Sequence, residues 1–326
     1  MKFNNYHIGH DFSKYSFLVT GGAGFIGSNL VEYLLQYNAG KIRILDNLST
    51  GNINNIQEFL DLPNIEFIEG DIRSYQTCTE AMKGIDFVSH QAALGSVPRS
   101  INDPIATNDV NINGFLNILI SAKEAKIKRL VYAASSSTYG DSKLLPKKEE
   151  NIGMPLSPYA VTKYVNELYA NVFSKVYGFH SVGLRYFNVF GPKQNINGPY
   201  AAVIPLFITT MLKNEQPYIN GTGETSRDFT FISNVIQANI KSLINKTINT
   251  DMVINIACGE RNTLIDLIAT INENLGQKIE PIFRNFREGD VMHSLADISK
   301  AVKVINYEPE ITFKEGIKLT ISFFNK

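Results

Sequence analysis

Short apolar runs alternate with longer stretches of helical periodicity through the first half of the chain. Phe17-Leu18-Val19-Thr20 is followed by a helix-like segment from Ile26 to Tyr37, then by Ile42-Arg43-Ile44-Leu45 and, further on, by Ile65-Glu66-Phe67-Ile68. The rhythm continues through Phe87-Val88-Ser89-His90, a helix-like stretch from Gly114 to Ala125, Leu130-Val131-Tyr132-Ala133, a helix from Ser157 to about Tyr177, and Ser181-Val182-Gly183-Leu184. This alternation predicts βαβ units, and so an α/β fold built on a doubly wound parallel sheet. After Gly191-Pro192 the rhythm weakens: 193–200 reads as loop, Val203 to Leu212 as helix and Gly221-Thr222-Gly223 as a turn. A first domain over 1–190 and a smaller mixed α/β lobe over 191–326 are expected, with about 230–257 rejoining the first. No internal repeat or low-complexity linker interrupts the chain.

Composition narrows the partners. The 326 residues carry 31 Lys plus Arg against 31 Asp plus Glu, so no net basic field gathers nucleic acid or an anionic membrane. No stretch approaches the ~20 apolar residues of a membrane span. The first fifteen residues lack the apolar core of a signal peptide and read as a short extension of uncertain order. Cys78 and Cys258 fit no metal-ligand spacing and no disulfide framework, so a reducing cytoplasm is the expected compartment and no metal site is expected.

Gly22-Ala23-Gly24-Phe25-Ile26-Gly27 follows the first strand and opens a helix, the setting of a dinucleotide-binding loop of the Rossmann type. Gly21 precedes it, and the helix N-terminus offers free N–H groups to a pyrophosphate. Asp46 ends the next strand, where a carboxylate hydrogen-bonds ribose hydroxyls and repels a 2′-phosphate; this favours NAD over NADP, with Arg43 nearby as the contrary signal. Asp71-Ile72 and Gln91-Ala92-Ala93 follow later strands at the same sheet edge. Small Ala92 and Ala93 suggest a backbone passing close to cofactor, and Asp71 is placed to accept from an adenine amino group.

Ser157-Pro158-Tyr159-Ala160-Val161-Thr162-Lys163 reads as a capped helix start that sets Tyr159 and Lys163 on one face. A phenol titrating near pH ~10 is a poor base, and an adjacent ammonium lowers that value. Alone, such a pair is ordinary helix surface. The serines Ser135, Ser136 and Ser137 end another strand at the same edge, where a hydroxyl can hold a substrate hydroxyl and relay its proton to Tyr159.

From about Phe17 to about Gly316 these residues together resemble the extended short-chain dehydrogenases/reductases, and among them the UDP-hexose 4-epimerases. The markers are the glycine loop, Asp46-Asn47, Gln91-Ala92-Ala93, Tyr159-x-x-x-Lys163, Arg185-Tyr186-Phe187-Asn188-Val189-Phe190-Gly191-Pro192 and Arg227-Asp228-Phe229. Leu94-Gly95-Ser96-Val97-Pro98-Arg99-Ser100, the triple serine and Tyr200-Ala201-Ala202-Val203-Ile204-Pro205 are similar to the UDP-N-acetylhexosamine 4-epimerases.

The resemblance implies a transient oxidation at the sugar's C4 by tightly held NAD, with Tyr159 as base, Lys163 on the nicotinamide ribose and Ser135 as the hydrogen-bonding partner. It implies cofactor contacts at Gly21, Gly24, Phe25, Ile26, Gly27, Asp46, Asn47, Asp71, Ile72, Gln91, Ala92 and Ala93, besides Tyr159 and Lys163. For a UDP-sugar substrate, it implies Arg227 and Arg287 at the diphosphate, Asp290 at the uridine ribose and Asn188 near the phosphates. Ser96, Ser136, Val203, Tyr218 and Asn220 complete that set. Gly95, Ser137, Ala202 and Ser294 are small where relatives restricted to UDP-glucose commonly carry a bulky residue at the Ser294 position, which implies room for a 2-acetamido group and a UDP-GlcNAc/UDP-GalNAc pair. A homodimer through helices near 113–125 and 165–177 is expected by the same resemblance.

Three alternatives stand beside this reading. A nucleotide-sugar 4,6-dehydratase would place Asp-Glu where this chain has Ser136-Ser137. A UDP-N-acetylglucosaminuronate 4-epimerase could use Arg99 for a carboxylate. An NAD-binding sensor would share the fold without the chemistry.

Overall fold

The computed structural model describes residues 1–196, 202–285 and 292–325. Its centre is a seven-stranded sheet of β1 (Ser16–Thr20), β2 (Lys41–Asp46), β3 (Ile65–Glu69), β4 (Phe87–His90), β5 (Arg129–Ser135), β6 (Ser181–Tyr186) and β7 (Met252–Ile256). The spatial order is β7-β6-β5-β4-β1-β2-β3 with every pairing parallel. The order reverses between β1 and β4, and such a switch point leaves a crevice beyond the carboxyl ends of the strands.

The α-helices of eight or more residues are α1 (Phe25–Gln36), α2 (Tyr75–Met82), α3 (Gly114–Glu124), α4 (Pro158–Tyr177), α5 (Val203–Leu212), α6 (Ile232–Ile244), α7 (Leu264–Leu275) and α8 (Phe313–Phe324). Because strand side chains alternate, the sheet buries two separate cores. Phe17, Val19, Ile42 and Ile44 pack with Leu30 and Leu34 of α1 and Val235 of α6. Leu18, Leu45, Val88 and Leu130 face the other way, onto Phe115 and Leu119 of α3 and Phe173 of α4. Strand β7 pairs with β6 in register Ile254↔Leu184, so a late segment of the chain completes the sheet.

The N-terminal extension is packed. Phe3, Tyr6, His7 and Phe12 are buried, Tyr6 stacks on Tyr33 of α1 at 5.4 Å, and the His7 ring shares a 2.8 Å hydrogen bond with the Tyr33 hydroxyl. Phe3, Tyr6 and Phe12, three aromatic side chains within the first twelve residues, were the sequence signal for this apolar strap over α1. Among the described residues no helix is long and apolar enough to cross a membrane.

Candidate active site

A cavity of about 650 Å³ opens at the switch point. All the cofactor-site residues expected between Gly21 and Ala93 line it: the glycine loop with Phe25 and Ile26, Asp46-Asn47, Asp71-Ile72 and Gln91-Ala92-Ala93. The loop has no room for side chains at its glycines. Gly21 sits at φ +66°, and a Cβ there would lie 2.7 Å from Ala92 N; a Cβ on Gly27 would lie 2.2 Å from Gly21 O. Gly24 caps α1 with no side-chain hydrogen bond, which leaves first-turn N–H groups facing the cavity. Asp46 accepts from Ala23 N at 2.9 Å and Leu48 N at 2.8 Å, so one carboxylate holds the glycine loop and edges the cavity. Its burial raises its pKa. Asp71 is bound by Arg73 and by Asn47 Nδ2 at 2.8 Å each, and that pairing lowers its pKa to about 2.

A second cavity of about 640 Å³ is lined by Ser135, Ser136 and Ser137, the first turn of α4 at Ser157 and Ala160, Asn188, Arg227 and Ser294. Ser157 caps α4 by accepting from Ala160 N at 3.1 Å, and Pro158 occupies the first turn, so the helix starts where the sequence predicts. Ser135 Oγ accepts from Ser137 N at 3.2 Å and from Ser137 Oγ at 2.9 Å. Lys163 Nζ donates to Ala133 O of β5 at 2.9 Å and lies 6.0 Å from the Tyr159 ring centroid.

The electrostatics correct one expectation. Burial raises the Tyr159 phenol above its ordinary value, and a hydrogen bond from Ser135 opposes it; Lys163 does not bring it down. The reason is that Lys163 is itself desolvated. Burial lowers its ammonium to about 8, against the support of Glu167 one helical turn further along α4. Glu167 is held by Arg185 of β6 in a buried two-bond pair at 2.8 and 2.7 Å. Tyr159, Lys163 and Glu167 therefore form one face of α4, at i, i+4 and i+8.

Other expected residues fall elsewhere. Gly95 and Ser96 line the first cavity, beside Arg99, rather than the second. Tyr218 and Asn220 lie on a short strand paired with Ile282–Arg284, Tyr218 with Arg284 stacked 3.3 Å from its ring centroid; neither lines either of these two cavities. Ala202 and Val203, at the start of α5, line neither among the described residues. Arg287 and Asp290, with Tyr200 and Ala201, lie outside the described residues. Arg43 is turned away from the first cavity, bound to Glu66 at 2.9 Å and to the carbonyls of Ala81 and Lys83.

Sequence reasoning missed Lys193 and Gln194, which line the first cavity, and Lys147, which lines the second. Lys193 is bound to Glu32 of α1 at 2.8 Å, and its place just after Gly191-Pro192 at a sheet edge was the available signal. Asp228 was missed as an organiser. Its fully buried carboxylate accepts from Cys258 N at 2.9 Å, Gly259 N at 3.0 Å and Ala296 N at 3.2 Å, tying three distant segments together behind Arg227 and Ser294.

Comparison with known proteins agrees with this geometry. Residues 18–320 match the family model described as GDP-mannose 4,6 dehydratase. The UDP-N-acetylglucosamine 4-epimerase from Methanobrevibacter ruminantium, solved with UDP-N-acetylmuramic acid, is 40% identical with a TM-score of 0.90, covering 95% of this chain and 98% of that one. The Thermus thermophilus UDP-glucose 4-epimerase, solved with NAD, is 32% identical with a TM-score of 0.83, covering 95% of this chain and 99% of that one. A UDP-glucuronate 4-epimerase of Thermodesulfobacterium geofontis is 35% identical over 94% of this chain and 95% of its own. The chain belongs to this family, as an extended short-chain dehydrogenase/reductase of the UDP-sugar 4-epimerase type.

Proposed function

We propose that the protein is an NAD-dependent 4-epimerase that interconverts UDP-GlcNAc and UDP-GalNAc. One observation carries the reading: Ser135, on the wall of the second cavity, hydrogen-bonds the Tyr159 phenol, Lys163 stands one turn further along α4 anchored on Ala133 O, and the same cavity wall is small and polar at Ser136, Ser137 and Ser294. The glycine loop, too tight at its glycines for a Cβ, and the open first turn of α1 fit a pyrophosphate, and the Asp46 carboxylate fits an unphosphorylated ribose. Arg43, already occupied by Glu66, is not available to a 2′-phosphate. Bound there, NAD supplies the acceptor and then the donor of the hydride at the sugar's C4.

The chain's own residues handle the proton. Tyr159 Oη takes the proton of the 4-hydroxyl, with Ser135 Oγ holding that hydroxyl in line, and returns it to the same oxygen after the sugar has presented its other face. Lys163, anchored on Ala133 O, holds positive charge beside the phenol as the proton arrives and leaves. Arg227 and Asn188 grip the part of the substrate that does not turn over, so that binding energy does not resist rotation of the sugar. The N-acetylated complex of the Methanobrevibacter relative supports the choice of sugar.

A second copy is the proposed partner. Val161, Leu168, Val172 and Val176 are exposed along one side of α4 at spacings of seven, four and four, an unpartnered apolar stripe on a twenty-residue helix. Following each 4-epimer by NMR after incubation with UDP-GlcNAc, UDP-glucose and UDP-N-acetylglucosaminuronic acid tests the reading. UDP-GlcNAc should turn over with the higher kcat/KM of the two neutral sugars, and equal or better use of UDP-glucose would reject the assignment.

A further inference from the structure

Lys147 lies in the long connection between β5 and α4, in a run of lysines and glutamates that reads as solvated loop. It is instead 5% exposed and lines the second cavity. The backbone explains how: Lys147 N donates to Leu295 O at 2.7 Å and Asp297 N donates to Lys147 O at 2.9 Å, so this residue is built into the wall beside Ser294. Its neighbour Lys148 faces Asp297 at 3.8 Å. Lys147 has no carboxylate partner among the described residues. Its ammonium donates to Ser142 O and lies 6.0 Å from the centroid of the Tyr139 ring, leaving donor capacity unmatched.

The charge balance of the cavity sharpens this. The charged residues among the described ones lining it are Lys147 and Arg227, and no aspartate or glutamate joins them. The two occupy different places. Arg227 is bound to Met292 O at one end of the 292–297 segment, and Lys147 is registered on Leu295 to Asp297 at the other. In extended chain that offset is roughly 10 Å. Lys147 Nζ lies 6.0 Å from the ring centroid of Tyr139, which shares a turn with Ser136 and Ser137, the residues that the proposed function places at the sugar. Burial depresses its pKa, an unfavourable placement that an anion bound in the cavity would offset.

Resting on the UDP-N-acetylhexosamine reading, we infer that Lys147 forms an anion subsite at the sugar end of this cavity and admits UDP-N-acetylhexosamines that carry a carboxylate on the sugar ring. A carboxylate there would replace the water that the buried ammonium has lost, with a charge-assisted hydrogen bond.

The test measures the inhibition constant of UDP-N-acetylglucosaminuronic acid against UDP-GlcNAc turnover for the wild-type protein and for K147R, K147M and K147Q. Neutralising the charge in K147M should weaken the acidic ligand at least about tenfold and change the KM for UDP-GlcNAc less than about threefold. K147R should retain the wild-type discrimination. K147Q keeps a donor for Ser142 O while losing the charge, so it separates loss of the subsite from loss of the loop should K147M fold poorly. Equal weakening of the acidic and neutral ligands in K147Q, or an acidic ligand that binds wild type and K147Q alike, would overturn the subsite. Absence of UDP-GlcNAc turnover in the wild-type protein would instead reject the epimerase reading on which it rests.

Discussion

The two cavities differ in how the chain assembles them. Most of the first is built from the loops that directly follow β1 to β4, so each wall is a short contiguous motif placed by its own strand. The second draws on segments near 97–102, 135–140, 147, 156–160, 187–188, 227 and 294, and no local rule brings these together. Asp228 and the short pairings of Ser226 with His293 and Lys147 with Ala296 do that work over long sequence separations. A parallel sheet thus fixes a cofactor site almost by construction, while a substrate site depends on long-range hydrogen bonds that can change without altering the sheet.

The largest expected effect lies at the proposed proton acceptor, whose partner Ser135 lines the second cavity. Y159F removes the proton acceptor and should lower kcat by about 10²–10⁴ while leaving cofactor and UDP-sugar binding in place, measured by NMR turnover alongside ligand titration. Undiminished turnover would sink the mechanism. G21A attacks the first cavity alone. At φ +66°, with a Cβ forced to 2.7 Å from Ala92 N, the loop must move. Strain of about 1–3 kcal/mol is expected, with NAD retention on purification falling and UDP affinity nearly unchanged. If both fell together, the two cavities would not be separable.

D228N addresses the second cavity. Losing the ionised acceptor of three backbone N–H groups should cost about 1–3 kcal/mol and raise KM for the UDP-sugar more than it lowers kcat. The pH dependence has a definite sign. Burial raises the Asp228 carboxyl to about 6 from 3.8, so between those values the folded protein binds the proton that the unfolded chain has lost. Stability therefore declines as pH rises from about 4 to about 6 through this group. Thermal melts of D228N should lack that slope, and an unchanged slope would assign it elsewhere.

The smallest effect concerns the α4 face behind Tyr159. E167Q removes the charge that supports the Lys163 ammonium at about 8, so the alkaline limb of the kcat profile should move to lower pH. The displacement should be under about one pH unit. An unmoved limb would show that Glu167 serves only Arg185.

Much of this was legible in advance, for identifiable reasons. Short apolar runs located the sheet strands, helical periodicity located α1, α3 and α4, and Pro158 after Ser157 marked the start of α4. The polar helix α2 escaped because it buries only Cys78, Ala81 and Met82. The strand that carries Tyr218 and Asn220 was not legible because its partner, Ile282–Arg284, lies more than sixty residues away. Lys147 was illegible for the same reason, since nothing in a run of polar loop residues signals a backbone pairing with Leu295.

The sequence by itself determined the order of strands and helices, the glycine loop that excludes side chains, and the presence of Tyr159 and Lys163 on one helical face. These follow from steric and periodic rules acting over a few residues. Only the tertiary structure decided that burial outweighs the neighbouring ammonium at Tyr159, that Glu167 and Arg185 stand behind Lys163, and that Lys147 meets Ser294 in one wall. Desolvation and long-range hydrogen bonding depend on which distant segments pack together, and that information is not local to any motif.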